Sequence, residues 1–458
     1  MSAYEKDGTY LRRLGARVLS EANDLKRTPE ALAKDLKWNP SDVARVIEGA
    51  ADVKMSQSLL MEMAAVYPIS LADIWIEPDD TDAGVLVMRS EDSRATSRIF
   101  QRVGRDGAHS DYYEYRDTAM SSGGPYKPEW IKELRFVDDM DPDNPDVTFN
   151  NGHLMHQMTI FIGEVNFYWI VDGKKYCRPM NTGDSCYITP FMPHSFTSRN
   201  PAAPGLIVAI TFSSAASKSL DSLSRMDAGR IDSLTGDLRD AKSAFAARLA
   251  RHREGESISI TELAERMRSA GIGLEKAGRL AAGKVLPAPP ELAALAAALR
   301  VREQDLTISQ LDADEEVVIS LIAETPSRQF PVDTNTPAYH LTALASTRHQ
   351  PGLKGFNLEL TGEATEAAVF CHCAHEYIYN YADLPVALHW DGDRQAILNP
   401  GDSAYIRPLV THRFSGPEGA QISVARVTGD MTDAVFDDIA AFSPDNRHRV
   451  IRETKQWF

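Results

Sequence analysis

Part of this chain is written twice. Gly183-Asp184-Ser185, Tyr187-Ile188, Pro190 and His194 return in the same order as Gly401-Asp402-Ser403, Tyr405-Ile406, Pro408 and His412. Asp172-Gly173 returns as Asp391-Gly392. A repeat on this scale means that one structural unit is used twice, and it accounts for 458 residues better than four unrelated domains would.

Each copy begins helical and turns β-rich. Residues 11–76 show apolar positions spaced by three and four in short runs, with Thr28 before Pro29 and Asn39 before Pro40 marking helix starts. Short helices joined by short polar turns suggest a helix-turn-helix bundle. Runs such as Met158–Ile162, Asn166–Val171 and Leu206–Phe212 then read as short strands. Asp172-Gly173 between two of them is a strong hairpin signal. The expected fold is α+β, a tandem duplication of a helix-turn-helix bundle plus a β jelly-roll (cupin) barrel. The boundaries are a helical domain at 1–84, a catalytic barrel at 85–215, a helical connector at 216–256, a second helical domain at 257–312 and a second, non-catalytic barrel at 313–458.

Bulk properties remove several classes. A net charge of −16 opposes a general nucleic-acid surface, though not a local cluster of cations for a small anion. The four cysteines form no CxxC pair and no secretory segment opens the chain, so free thiols and a cytoplasmic location are expected. No apolar run nears the roughly 18 residues of a membrane span.

The chemistry lies in Asn150-Asn151-Gly152-His153-Leu154-Met155-His156-Gln157 and in Pro193-His194. Residues four apart share one face of a strand, so His153 and Gln157 can point into a barrel while a later strand brings His194 opposite. A single strand histidine is more often core than ligand, but here spacing, lead-in and Pro-His agree. Two imidazoles and one oxygen donor, with positions left open, suit Fe(II) oxygen chemistry. Neutral Gln157 leaves the metal more positive, which favours a doubly charged substrate. His156 falls on the opposite face, as a structural residue.

These motifs resemble the phosphonate-processing cupin oxygenases, the family of hydroxyethylphosphonate dioxygenase and methylphosphonate synthase, with hydroxypropylphosphonate epoxidase more distant. The resemblance covers nearly the whole chain. Where the epoxidase pattern has Glu after His-x3, this chain has Gln157; where one dioxygenase branch places a carboxylate on the later strand, it has Ile188. That is the two-His-one-Gln pattern. The resemblance implies that Lys26, Arg105, Tyr113 and Asn150 bind the phosphonate, a set that suits a dianion physically. It implies Fe(II)- and O2-dependent cleavage of 2-hydroxyethylphosphonate without 2-oxoglutarate or external reductant, since the substrate supplies all four electrons. The products are hydroxymethylphosphonate plus formate, or methylphosphonate plus carbon dioxide. Residues beside the glutamine set that choice, with Met155, Met158, Ile160, Ile188 and Phe191 as candidates. Arg far outnumbers Lys, as in GC-rich genomes, and this favours hydroxymethylphosphonate. Relatives of this kind assemble, so a homo-oligomer is expected.

In the second copy, alignment on the Asp-Gly hairpin places His372, Glu376 and His412 at the metal positions. Val369-Phe370-Cys371 replaces the Asn-Asn-Gly lead-in and Ser257 falls near the Lys26 position, so this triad reads as a vestigial metal site. A rival from another class is a helix-turn-helix cupin regulator. Against it, Asp42 and Glu48 oppose the single Arg45 in the recognition segment, a poor surface for DNA phosphates. A non-redox cupin isomerase would share the triad but not Lys26 and Arg105.

Overall fold

In the computed structural model the described residues are 8–104, 107–213, 215–309, 316–331, 337–362, 368–449 and 455–457. The first strands are β1 Val85–Met88, β2 Arg98–Val103, β3 His109–Asp117, β4 Tyr126–Glu133, β5 Met155–Ile162, β6 Val165–Val171, β7 Lys174–Met180, β8 Ser185–Ile188, β9 His194–Ser198 and β10 Leu206–Ser213. The second set is β11 Val317–Ser320, β12 Ser327–Phe330, β13 Tyr339–Ala343, β14 Leu353–Leu360, β15 His375–Tyr379, β16 Val386–Trp390, β17 Arg394–Leu398, β18 Ser403–Ile406, β19 His412–Ser415 and β20 Gln421–Val427.

Helices precede each set for the reasons the sequence suggested. Thr28 Oγ1 accepts the Ala31 N–H and Asn39 Oδ1 accepts the Ser41 N–H, capping Pro29–Leu36 and Pro40–Ile47. Leu14, Val18, Leu32, Val46, Leu59 and Met63 form the first bundle's core. Gly15 permits it: a Cβ there would lie 2.3 Å from the Ile47 carbonyl oxygen. Phe245, Leu249, Leu263, Leu280, Leu295 and Leu299 centre the second bundle. No described helix is long and apolar enough to cross a membrane.

The strands form two mixed units, each a seven-stranded antiparallel sheet with a three-stranded one. The first large sheet runs β11-β8-β5-β10-β4-β3-β2 beside β7-β6-β9, and the second β1-β18-β15-β20-β14-β13-β12 beside β17-β16-β19. Asp172 and Gly173 both have positive φ and join β6 to β7 in a two-residue hairpin.

The edge strands depart from the expected boundaries. β1, placed with the first barrel, pairs with β18 of the second unit (Val85 opposite Ile406). β11, placed with the second, pairs with β8 of the first (Val317 opposite Ile188). The repeated Gly-Asp-Ser motif anchors this exchange. Asp184 Oδ1 accepts the Ile322 N–H at 2.9 Å, and Ser185 Oγ accepts the Ala345 N–H at 2.8 Å. In mirror image, Asp402 Oδ1 accepts the Ser90 N–H and Ser403 Oγ the Ala119 N–H, both at 2.8 Å. Between the large sheets lies a shared core including Tyr126, Met158, Tyr187, Ile210, Tyr377 and Tyr405.

Candidate metal centre

β5, the loop before it and the start of β9 bring His153, Gln157 and His194 together. His153 Nε2 stands 3.1 Å from Gln157 Oε1, and the two imidazole centroids are 5.4 Å apart. His153 Nδ1 donates to the Met155 carbonyl at 3.2 Å and His194 Nδ1 to the Met192 carbonyl at 2.8 Å. With both Nδ1–H groups used, each ring turns an Nε2 lone pair inward, the orientation a metal requires. Gln157 donates its amide N–H to Thr159 Oγ1 at 2.7 Å, which aims its oxygen at the same point. Burial pushes the His194 imidazole down to about 3, so it stays neutral. The donor set therefore fits a divalent ion.

The lead-in shapes this geometry. Asn150 Oδ1 accepts the backbone N–H of Gly152 at 3.0 Å and of His194 at 2.9 Å. Its Nδ2 stands 3.0 Å from His194 Nε2. Gly152 has φ +71° and presses against Phe191, where a Cβ would come within 2.3 Å of the carbonyl carbon.

Of the other expected substrate contacts, Tyr113 is buried in the same interior core as Ile131, Phe161 and Ile188. Its hydroxyl accepts the Phe196 N–H at 3.1 Å, tying down the strand that carries His194. Tyr339 makes the equivalent bond to Phe414 in the second unit, so this contact belongs to the architecture. Arg105 lies outside the described residues. Lys26 follows the first helix, Gly8–Asp24. Its ammonium donates to the Asn23 carbonyl and sits 4.7 Å over the Trp457 ring, held by the left-handed turn after the first helix.

Two residues escaped the sequence reading. Arg102 lies 4.9 Å from each of the Tyr112 and Tyr113 rings and donates to the Thr148 carbonyl, placing a cation in the interior. Glu133 is fully buried, and among the described residues neither carboxyl oxygen has a hydrogen-bond partner. Burial raises it well above the usual carboxylate range, only partly opposed by Arg102. The period of β4 put both glutamates, Glu129 and Glu133, on the face of Ile131; that alternation was the available signal.

The second triad also assembles. His372 Nε2 lies 2.9 Å from Glu376 Oε2, and His412 Nε2 lies 3.0 Å from Oε1. Burial would raise the Glu376 carboxyl, but His412 and Arg426 hold it well below its ordinary range. Arg426 Nε donates to Oε2 at 2.5 Å.

No family model matches the chain. Methylphosphonate synthase of Nitrosopumilus maritimus is 37% identical over 462 aligned positions, covering 99% of this chain and 97% of that protein. The chain belongs to the methylphosphonate synthase and hydroxyethylphosphonate dioxygenase family. The 2-hydroxyethylphosphonate dioxygenase of Streptomyces viridochromogenes is 26% identical over 361 positions, 71% of this chain and 72% of that one. The solved Streptomyces albus enzyme of the same name, with 2-hydroxyethylphosphonate and Fe(II) bound, superposes with a TM-score of 0.86. It shares 32% identity over 99% of this chain and 100% of its own. This is a family of phosphonate-processing oxygenases.

Within that family the candidates for steering the product divide sharply. Ile188 faces Gln157 across the β5–β8 ladder and is buried in the same interior. Met155 shares the odd-numbered face of β5 with Gln157. Met158 and Ile160 do not: both are buried in the core between the large sheets, on the opposite face. Phe191 is 61% exposed, its backbone donating to the His153 carbonyl at 2.7 Å. His156 lies on that same opposite face, hydrogen-bonded to Tyr187 at 2.7 Å.

Proposed function

We propose that this chain cleaves the C–C bond of 2-hydroxyethylphosphonate with Fe(II) and O2, releasing methylphosphonate and carbon dioxide. The full-length 37% identity to methylphosphonate synthase carries this reading, and it outweighs the compositional argument for hydroxymethylphosphonate. The second reading, hydroxymethylphosphonate plus formate, is favoured by the fit to the Streptomyces albus dioxygenase. Each β-unit is read as a cupin-type jelly roll, in a cytosolic and oligomeric enzyme that does not bind nucleic acid.

Fe(II) held by His153, Gln157 and His194 would supply the reaction with O2. The protein's part is electrostatic and geometric. Three neutral ligands leave both charges of the ion unbalanced, which suits a phosphonate dianion. Arg102 adds a cation, with Arg105 proposed beside it, while Asn150 and Tyr113 offer neutral donors. Burial disfavours an anion at Glu133, which would repel the substrate. Burial of Gln157 and His194 keeps water from the reacting carbon. The reaction balances: substrate and O2 give methylphosphonate, carbon dioxide and water, and the substrate supplies all four electrons. Aerobic incubation of iron-loaded protein with 2-hydroxyethylphosphonate, followed by phosphorus NMR, decides between the readings. Methylphosphonate supports the first, hydroxymethylphosphonate the second, and unchanged substrate refutes both.

A further inference from the structure

We infer that His372, Glu376 and His412 hold a divalent cation of their own, in a centre closed to substrate. Both rings are set as in the first triad: His372 Nδ1 donates to the Ala374 carbonyl at 3.1 Å and His412 Nδ1 to the Val410 carbonyl at 2.8 Å. With each ring neutral and its proton on Nδ1, an Nε2 lone pair faces a carboxylate oxygen, acceptor against acceptor at 2.9 and 3.0 Å. A cation between them resolves that conflict at both rings at once. Separations near 3 Å are those of ligand atoms each about 2.1 Å from a shared ion. The ligand atoms all lie within 4.8 Å of one another, with Glu376 and His412 buried.

The surroundings make this centre structural. Phe370 N–H donates to the His412 carbonyl at 2.8 Å, as Asn150 N–H does to His194 at 3.0 Å, so a phenyl ring stands where the first site has its amide. Phe330 stacks on that ring at 4.7 Å and Tyr339 at 5.3 Å, filling the space a polar substrate would need. Opposite Glu376 in the strand register stands Arg426, where Thr211 stands opposite Gln157. Arg426 occupies Glu376 Oε2 and rests 5.0 Å over Phe370. The ion would thus tie β15 to β19 without an open face for chemistry.

The test is metal stoichiometry, read on metal-stripped protein after anaerobic equilibrium dialysis against Co(II), with elemental analysis. Two ions per wild-type chain are expected, one in the His153→Ala/His194→Ala variant and one in Glu376→Ala. The His153→Ala/His194→Ala variant should also lose thermal stability when chelated. One ion in the wild type and none in that double variant would overturn the inference, leaving His412 and Arg426 as the counter-charges to Glu376. Two ions persisting in Glu376→Ala would overturn it equally. If Glu376→Ala fails to fold, the count in the double variant decides alone. Because the readout is bound metal, it is independent of which product the enzyme makes.

Discussion

Asn150 holds the His194 backbone at two points: its Oδ1 accepts the His194 N–H at 2.9 Å, and its own N–H donates to the His194 carbonyl at 3.0 Å. A side chain that orients a ligand ring matters nearly as much as the ligand. Asn150→Ala should weaken metal binding at the first centre about 10–100-fold. Anaerobic Co(II) titration checks this, and unchanged affinity would confine Asn150 to contacts with substrate.

The two faces of β5 make different predictions for product choice. Met158→Leu, on the face toward the other sheet, should leave the ratio of methylphosphonate to hydroxymethylphosphonate unchanged. Ile188→Val, opposite Gln157, should shift it. Phosphorus NMR of the products reads both, and a shift with Met158→Leu alone would reverse the assignment.

Asp184 joins the halves through the Ile322 N–H while also accepting the Asn181 N–H. Asp184→Ala leaves both donors without their carboxylate and should cost roughly 2–4 kcal/mol. Urea denaturation should show the loss in a single transition, because each unit includes a strand of the other. Two separated transitions would contradict that coupling.

Glu133 sets a pH dependence with a definite sign. Its folded pKa is raised, so the folded state binds a proton that the unfolded state releases above an ordinary glutamate pKa of about 4.3. Stability is therefore lost as pH rises from there, by at most roughly 1.4 kcal/mol per pH unit until the folded pKa is reached. Glu133→Gln removes this dependence. Its melting temperature should match the wild type near pH 4 and exceed it increasingly as pH rises toward the folded pKa. A gap that narrows with rising pH would show that Glu133 is ionised in the folded protein.

What the sequence made legible was local. The His-x3-Gln spacing and Pro-His located three side chains that converge, because strand alternation and one hairpin fix their directions within a few residues. The Gly-Asp-Ser echo announced the duplication but not its purpose. Which sheet receives Val85–Met88 is decided by packing between halves, and an apolar four-residue strand carries no address. Arg102, whose guanidinium reaches the tyrosine rings from β2, was not singled out, because spacing from Tyr113 pointed to Arg105. Met158 and Ile160 were counted beside Gln157 by sequence proximity, although a period of two sends them away from it.

The traded edge strands bear on how such a chain could arise. Cut between its repeats, either half would display a β-strand with no sheet of its own and a sheet edge with no strand. Two identical halves could satisfy one another by exchange, as swapped dimers do. Joined end to end, they make the present molecule: a former partner brought permanently into the same polypeptide, free to lose its chemistry while still completing its twin's sheet.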